Sequence, residues 1–387
     1  MSKSTNQAPV VIVGTGLAGY TLARELRKLD KAQAIVMVTA DDGHSYSKPM
    51  LSTAFSRDKT ADDLSMSGPD QMAKQLNVDI RTFTVVTGIA PEQNRLFLAG
   101  ESLVYSKLIL AWGADVVQLA LAGDATDQVC SINDLQDYRH FRNNLEDKKR
   151  VLILGAGLIG CEFANDMRNG GYQVEIVAPS NQVIPGLLPA PCATALQSAL
   201  ASEHVRFHLE RTVTAVNHKD GAICASLSDG SIIETDMVIS AVGLRPRTQL
   251  VKNILECNQG IVVNRALETS HADIYALGDC AEVEGRVMLY VQPLMTGARA
   301  LAKTLTGQRT EVKYSAMPVV IKTPICPIAV APPPANETGT WSFDGDGKNI
   351  KGLFKDTNDN LLGFALTGNY AEERQALTKL LPDIQLA

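Results

Sequence analysis

Basic residues are in the minority. The 387-residue chain carries 36 Lys and Arg against 42 Asp and Glu, a formal charge of −6. A nucleic-acid binder normally shows a basic excess or stripe, so that class is set aside at once. Any anionic partner must meet a local basic patch, because the global field repels it. Cysteine is sparse and scattered: seven residues, at 130, 161, 192, 224, 257, 280 and 326, without one Cys-x-x-Cys pair. That spacing supports neither a disulfide framework nor a zinc site and points to reduced thiols in a cytoplasmic protein. No apolar stretch reaches the roughly 18 residues of a membrane span. The nearest, MPVVIKTPICPIAVAPPP at 317–334, is broken by Lys322 and several prolines. The opening MSKSTNQAPV lacks a charged-then-apolar leader. None of the six histidines, His44 and His271 included, stands in a metal or triad pattern, and no metal is expected.

What is abundant is apolar sequence, 45% of the chain, in short runs punctuated by glycine. At this length two or three domains are expected. The chain repeats itself. VVIVGTGLAG (10–19) and VLILGAGLIG (151–160) are each a β-forming run that breaks into Gly-x-Gly-x-x-Gly and enters a helical pattern, YTLARELRKL and CEFANDMRNG. A second strand follows each, AIVMVT (34–39) and QVEIVA (173–178), and each copy closes on an apolar strand stopped by glycine, LILAWGA at Gly113 and MVISAVGLRP at Gly243. These are βαβ units with buried parallel strands.

In such a turn the first glycine permits the bend, the second lets the backbone approach a pyrophosphate, and the third lets helix pack on strand. The roles fall to Gly14, Gly16 and Gly19, and to Gly155, Gly157 and Gly160. An acid that holds the adenosine ribose is expected about 20 residues on. The first copy offers Asp41 and Asp42. The second has Ala178, Pro179, Ser180 and Asn181, with neither a carboxylate for a 2′-hydroxyl nor an arginine for a 2′-phosphate; Glu175 lies mid-strand. NAD is preferred, and NADP stays open. Two dinucleotide sites in one chain suggest a relay in which a nicotinamide hands hydride to a tightly held second cofactor, FAD, that can release electrons singly. A third landmark, TSHADIYALGDCAEV (269–283), ends a short strand at Gly278 and Asp279 before the helical stretch 294–305. Asp279 reads equally as a ligand for a polyol hydroxyl or as the N-cap of that helix. Beyond the prolines near 331–334, strands GLFKD and LLGFALTG and a final helix AEERQALTKLL make a small third unit.

The order VVIVGTGLAG, SYSKPMLST, LILAWGAD, VLILGAGLIGCEFAND, SAVGLRPRT, TSHADIYALGDCAE resembles the FAD-dependent pyridine-nucleotide oxidoreductases over essentially the whole chain. It is most similar to the ferredoxin reductase-like branch that reduces small iron–sulfur proteins, and within it to enzymes that reduce rubredoxin. The resemblance implies an α/β fold of two Rossmann-like domains and a small α+β C-terminal domain. The FAD domain would span 1–113 and 241–316, the NAD domain 114–240, and the C-terminal domain 317–387. FAD contacts would include Gly14, Thr15, Gly16, Gly19, Asp41, Lys48, Gly113, Gly278, Asp279 (bonding the ribitol), Val291 and Lys322; NADH would meet Gly155, Gly157, Gly160 and Glu162.

Where the family commonly reads Tyr-x-Arg-Pro-Pro-Leu-Ser-Lys, this chain has Tyr46 to Thr53 with Lys48 in place of the arginine and Thr53 in place of the last lysine. That departure fits the rubredoxin-reducing branch. Lys48 and Glu162 are the expected catalytic pair, with Glu162 in the first turn of its helix, bonded to Lys48 and positioning the nicotinamide carboxamide. The implied activity is transfer of hydride from NADH to FAD and of single electrons to rubredoxin, with alkane hydroxylation as the implied use of the electrons. The N-terminus of the 294–305 helix would stabilise negative charge on the flavin. Arg24, Lys28, Arg299 and Lys303 are the expected basic rim for the acidic partner. Trp112 replaces the family's small residue. The redox-active cysteine pairs of glutathione and thioredoxin reductases are missing, and Cys161 and Cys280 read as buried hydrophobes. The same-class alternative is a ferredoxin or flavorubredoxin reductase. The different-class alternative is a redox sensor resembling apoptosis-inducing factor, marked by slow reoxidation and NADH-driven dimerisation.

Overall fold

Four consecutive buried residues, Val10–Val13, form the centre of the first sheet in the computed structural model, which describes residues 8–334 and 336–384. Strands this apolar, without alternation, must be covered on both faces. Val10–Val13 pairs in parallel with Ile35–Val38 on one side and Lys107–Leu110 on the other. Asp79–Arg81 and Ile274–Ala276 complete the five parallel strands. Helices Leu17–Leu29 and Val291–Leu305 lie against each other on this module. The late strand and helix show that the chain returns to the first module after leaving it.

The second sheet repeats the plan. Its parallel strands run in the order Val129–Cys130, Met237–Ser240, Arg150–Leu154, Gln173–Ala178, Arg206–Leu209. The chain crosses between modules on an antiparallel pair, Ala114–Val116 with Leu244–Pro246. Arg247 fastens this crossing: its guanidinium donates to the Trp112 carbonyl at 2.8 Å and pairs with Asp115 at 2.5 Å. Trp112 donates its indole N–H to the Arg247 carbonyl at 3.0 Å.

The third unit is an antiparallel sheet ordered Val319–Ile321, Ile328–Ala331, Leu361–Thr367, Asn349–Lys355, Thr340–Asp346. The continuous final helix expected over 371–381 is instead a 3-10 helix, Gly368–Glu373, followed by a short α-helix, Arg374–Thr378. The fold is therefore α/β with two doubly wound modules and a mainly β C-terminal unit. Residues 1–7 of the expected leader-free opening, and 385–387 of the C-terminal unit, lie outside the described residues.

Core composition refines the expected boundaries. Leu51, Ala54, Ala61 and Leu64 fall inside 1–113, yet they pack with Phe163, Ala164 and Met167 of the second module. Ile321, Cys326, Ile328 and Val330 of the third unit join the same core. Burying a Leu- or Ile-sized side chain is worth roughly 1.5–3 kcal/mol. The segment from 48 to 64 is thus a shared wedge, anchored where three units meet.

Candidate active site

Two glycine turns follow the carboxyl ends of the central strands Val10–Val13 and Arg150–Leu154. Gly14 has φ +113°, and a Cβ there would lie 2.3 Å from the Ala111 carbonyl oxygen; Gly155 has φ +106°, with the Ala241 oxygen at 2.6 Å. Cβ atoms on Gly19 and Gly160 would stand 1.9 and 2.0 Å from the Gly14 and Gly155 carbonyl oxygens. Of the six turn glycines, only Gly16 and Gly157 are open, with nothing within 4 Å of an added Cβ. Each N-caps its helix without a side-chain hydrogen bond. The first N–H groups of Leu17–Leu29 and Leu158–Asn169 are left for an outside acceptor, which suits a pyrophosphate. Closed first and third glycines around an open second one fit a dinucleotide at both turns.

Around the first turn, Thr15 is buried and donates to Asp41 Oδ1 at 3.3 Å. The same oxygen accepts from Thr39 Oγ1 at 2.7 Å and from the Gly43 N–H at 2.9 Å. Asp41 therefore holds its loop with one oxygen. Gly113 lies beyond the strand Lys107–Leu110, where its carbonyl accepts from the Arg247 N–H at 3.2 Å.

Lys48 opens a 3-10 helix, Lys48–Thr53. Its ammonium donates to Asn133 Oδ1 at 2.7 Å and stands 4.0 Å from Asp279 Oδ2. Burial pulls the Lys48 pKa down, opposed by Asp279. Burial likewise pushes the Asp279 carboxyl up, opposed by Lys48. Gly278 and Asp279 sit in a separate 3-10 turn, and the following helix begins at Val291 with Tyr290 as its N-cap. Asp279 is thus no helix cap. The helix also starts three residues before the expected 294, and its first turn carries no side-chain cap.

Glu162 is fully buried, but in the second turn of a helix that begins at Leu158. The expected Glu162–Lys48 bond is absent. Glu162 pairs instead with Lys322: Nζ approaches Oε2 at 2.8 Å, and the Lys322 backbone N–H donates to Oε1 at 2.8 Å. Ser52 Oγ donates to the same carboxylate, and Lys322 Nζ donates to Ser52 Oγ at 2.9 Å and to the Pro49 carbonyl. The reason is local. The 3-10 helix turns Ser52 toward Glu162, while Lys48, at its other end, faces Asn133 and Asp279. The third unit then supplies the counter-charge by running the end of Val319–Ile321 past the helix.

The same helix face continues this junction. Asn165 Oδ1 accepts from the Ile325 N–H at 3.2 Å. Asp166 accepts from the N–H groups of Phe55 at 2.8 Å and Ser56 at 3.2 Å, and burial raises its pKa. Glu162, Asn165 and Asp166 stand at i, i+3 and i+4, so one stripe binds two segments, 52–56 and 322–325.

A family model described as pyridine nucleotide-disulphide oxidoreductase matches residues 8–297. The chain belongs to the pyridine nucleotide-disulphide oxidoreductase family. A second model, described as the rubredoxin binding C-terminal domain, matches residues 311–381. Among curated relatives, the rubredoxin-NAD(+) reductase of Alcanivorax borkumensis is 52% identical over 97% of this chain and 99% of its own length. The enzyme of the same name from Acinetobacter baylyi is 45% identical over 97% and 98%. A nitric oxide reductase FlRd-NAD(+) reductase from Aliivibrio fischeri is 36% identical over 93% and 94%. The NADH:rubredoxin oxidoreductase of Clostridium acetobutylicum superposes with a TM-score of 0.81 at 22% identity, covering 97% of this chain and 94% of its own, a likeness of fold.

Against the family pattern, two kinds of residue escape sequence reasoning. Ser52 lies inside the quoted loop and Asp166 one helical turn past Glu162, so periodicity alone could have flagged both. Asn133 reaches the site from a distant loop and leaves no local signal, and Arg247, although inside the SAVGLRPRT stretch, has partners across the crossing that no local pattern shows. Two residues of the expected basic rim have local partners. Lys28 pairs with Glu25 at 2.7 Å, and Arg24 bonds Ser45 at 3.2 Å. Lys303 lies 12 residues beyond Val291, about 18 Å along the helix. Cys161 and Cys280 are fully buried, and burial pushes both thiols up to about 12.

Proposed function

We propose that this chain is an NADH-dependent flavoprotein reductase that delivers electrons one at a time to rubredoxin. On this reading residues 1–113 and 241–316 hold FAD, 114–240 bind NADH, and 317–387 complete the site and meet the partner. Bound FAD supplies the redox chemistry, taking hydride from the nicotinamide and passing electrons on singly. The chain's residues bind, orient and neutralise. Gly16 and Gly157 present open helix N-termini to two pyrophosphates. Asp279 offers a buried carboxylate to a polyol hydroxyl, with Lys48 beside it. The uncapped turn at Val291 directs partial positive charge at the flavin. Glu162, held by Lys322 and Ser52, positions the nicotinamide.

One observation carries the reading: the segment matched by the rubredoxin binding domain supplies Lys322 to the carboxylate that orients the electron donor. Hydrophobic side chains exposed on the neighbouring segments, Met50, Leu289, Tyr290 and Val320, offer the partner an apolar dock. This replaces the basic rim, and it suits an encounter between two acidic proteins, which charge does not assist. A cytoplasmic setting agrees with seven free thiols, and no helix among the described residues is long and apolar enough to cross a membrane. Use of the electrons in alkane hydroxylation is the resemblance's implication for the downstream step.

Anaerobic stopped-flow mixing of the yellow protein with NADH, then with rubredoxin, ferredoxin or flavorubredoxin, tests the proposal. Rapid bleaching by NADH and fastest recovery with rubredoxin are expected. Fastest turnover with flavorubredoxin would favour the function named for the Aliivibrio relative. Slow recovery with every acceptor would favour the sensor reading.

A further inference from the structure

The second strand of the NADH module ends at Ala178 without the acid its counterpart possesses. Pro179 has no N–H, and Ser180 Oγ is engaged with the Gln182 carbonyl at 2.8 Å. Glu175 cannot substitute: Arg206 and His208 of the adjacent strand hold it at 2.6 and 2.7 Å. The charges at this corner come instead from the end of that adjacent strand, Arg206–Leu209. The Glu210 N–H donates to the Ser180 carbonyl at 3.0 Å, and the Arg211 N–H to the Ala178 carbonyl at 3.1 Å. These bonds fix both residues against the loop that a dinucleotide's adenosine ribose must face, about 20 residues after the glycine turn.

Their side chains differ in freedom. Glu210 is exposed, makes no ion pair among the described residues, and has φ +57°. Arg211 is tethered, its Nε 2.5 Å from Asp229 Oδ2. Asp229 Oδ1 meanwhile holds its own turn through the Ser231 N–H at 3.0 Å and hydroxyl at 2.6 Å. The corner thus carries two carboxylates and one arginine already turned to a carboxylate.

We infer that Glu210, Arg211 and Asp229 set the choice of pyridine nucleotide, Glu210 accepting the ribose 2′-hydroxyl and Asp229 withholding Arg211 from a 2′-phosphate. This rests on the reading of residues 114–240 as the nicotinamide nucleotide module. The net negative corner repels a 2′-phosphate, which carries further negative charge, and a neutral hydroxyl meets no such repulsion.

Binding of NAD+ and NADP+ to the FAD-loaded, oxidised protein is measured by calorimetry, alongside kcat/KM for NADH and NADPH. Glu210→Gln should weaken NAD+ binding about threefold by exchanging a charged acceptor for a neutral one. Glu210→Gln with Asp229→Asn should tighten NADP+ binding about tenfold, with a gain that shrinks as salt rises. The amide introduced by Asp229→Asn keeps an acceptor oxygen for the turn, and a thermal midpoint within a few degrees of the parent's checks the fold. Adding Arg211→Ala should return NADP+ affinity to the parent value. The inference is overturned if the double variant, natively folded, binds NADP+ no better than the parent. It is equally overturned if the gain survives loss of Arg211 or if Glu210→Gln leaves NAD+ binding untouched. Failure of the underlying reading looks different: the unmodified protein would bind neither nucleotide and would not bleach with NADH.

Discussion

The two glycine turns are near copies, and what surrounds them is not. In both, the first glycine has φ above +100° and the third would clash with the first one's carbonyl. In the first module the acid past the second strand is tied to the turn through Thr15 and to its own loop through Thr39 and Gly43. In the second module the equivalent loop has no acid at all. A site for a resident cofactor and a site for a passing one need different things. On the proposed reading the first is wired internally and joined by segments far apart in the chain, Lys48 and Asp279 among them. On the same reading the second relies on Glu162, whose carboxylate is held from outside its own module by Ser52 and Lys322. The turn chemistry says that a dinucleotide binds; the surroundings say whether it stays.

The largest test of that contrast uses the two open glycines. Neither Gly16→Val nor Gly157→Val meets protein atoms within 4 Å of its Cβ, so both variants should fold, and each should block a pyrophosphate. Gly16→Val should purify colourless and inactive. Gly157→Val should stay yellow, with a KM for NADH raised about 100-fold or more. Flavin content and steady-state kinetics check both, and a colourless Gly157→Val protein would collapse the distinction.

A smaller effect is expected at the junction. Lys322→Met leaves the buried Glu162 without its partly exposed ammonium partner and should cost about 1–3 kcal/mol, less than loss of one member of a fully buried pair. Glu162→Gln combined with Lys322→Met should recover most of that loss, because no charge remains buried. Glu162→Ala should slow flavin reduction by NADH while FAD is retained, read by stopped flow and by flavin release on denaturation. Loss of FAD with normal hydride transfer would break the assignment. Next in size is the dock: Val320→Asp should raise the KM for rubredoxin about tenfold, a rim-type effect, and leave reduction of ferricyanide unchanged.

Sequence reasoning reached the turns and strands because their cause is local. An apolar run of four residues followed by Gly-x-Gly-x-x-Gly has few alternatives as a structure. The strand returning at 274 was also legible, because Gly278 and Asp279 punctuate it. The counter-ion of Glu162 was not. Lys48 precedes Pro49 and Lys322 lies two residues before Pro324, and the choice between them depends on how a 3-10 helix rotates Ser52 and how an antiparallel sheet docks. Neither has a period in the sequence. The basic rim has no local signal either: of its four residues, Lys303 shares a helix with the site but lies toward that helix's other end. The Leu51–Leu64 wedge, read as part of the first module, is assigned to the second core by packing alone.

The smallest effect separates the modules by the strand-end ion pairs beneath their sheets. At the base of the first, Lys107 meets Asp273 in a single, partly exposed contact. At the base of the second, Asp236 accepts from the Lys149 N–H at 3.0 Å, the Arg150 N–H at 2.9 Å and the Arg150 guanidinium at 2.5 Å. The guanidinium first, with the two backbone N–H groups, holds the Asp236 carboxyl down at about 2. An unfolded aspartate titrates near ~3.9. Because the folded pKa is the lower one, this stabilisation is complete above the unfolded value and fades as pH falls toward about 2. Asp236→Asn should therefore lower stability by about 1–2 kcal/mol at neutral pH, with the difference from the parent shrinking as the pH is lowered below ~4. Asp273→Asn should cost less than about 1 kcal/mol, as partly exposed pairs do. Thermal midpoints of the FAD-loaded proteins across that pH range decide it, and equal losses from the two substitutions would show that the extra backbone donors beneath the second sheet add nothing.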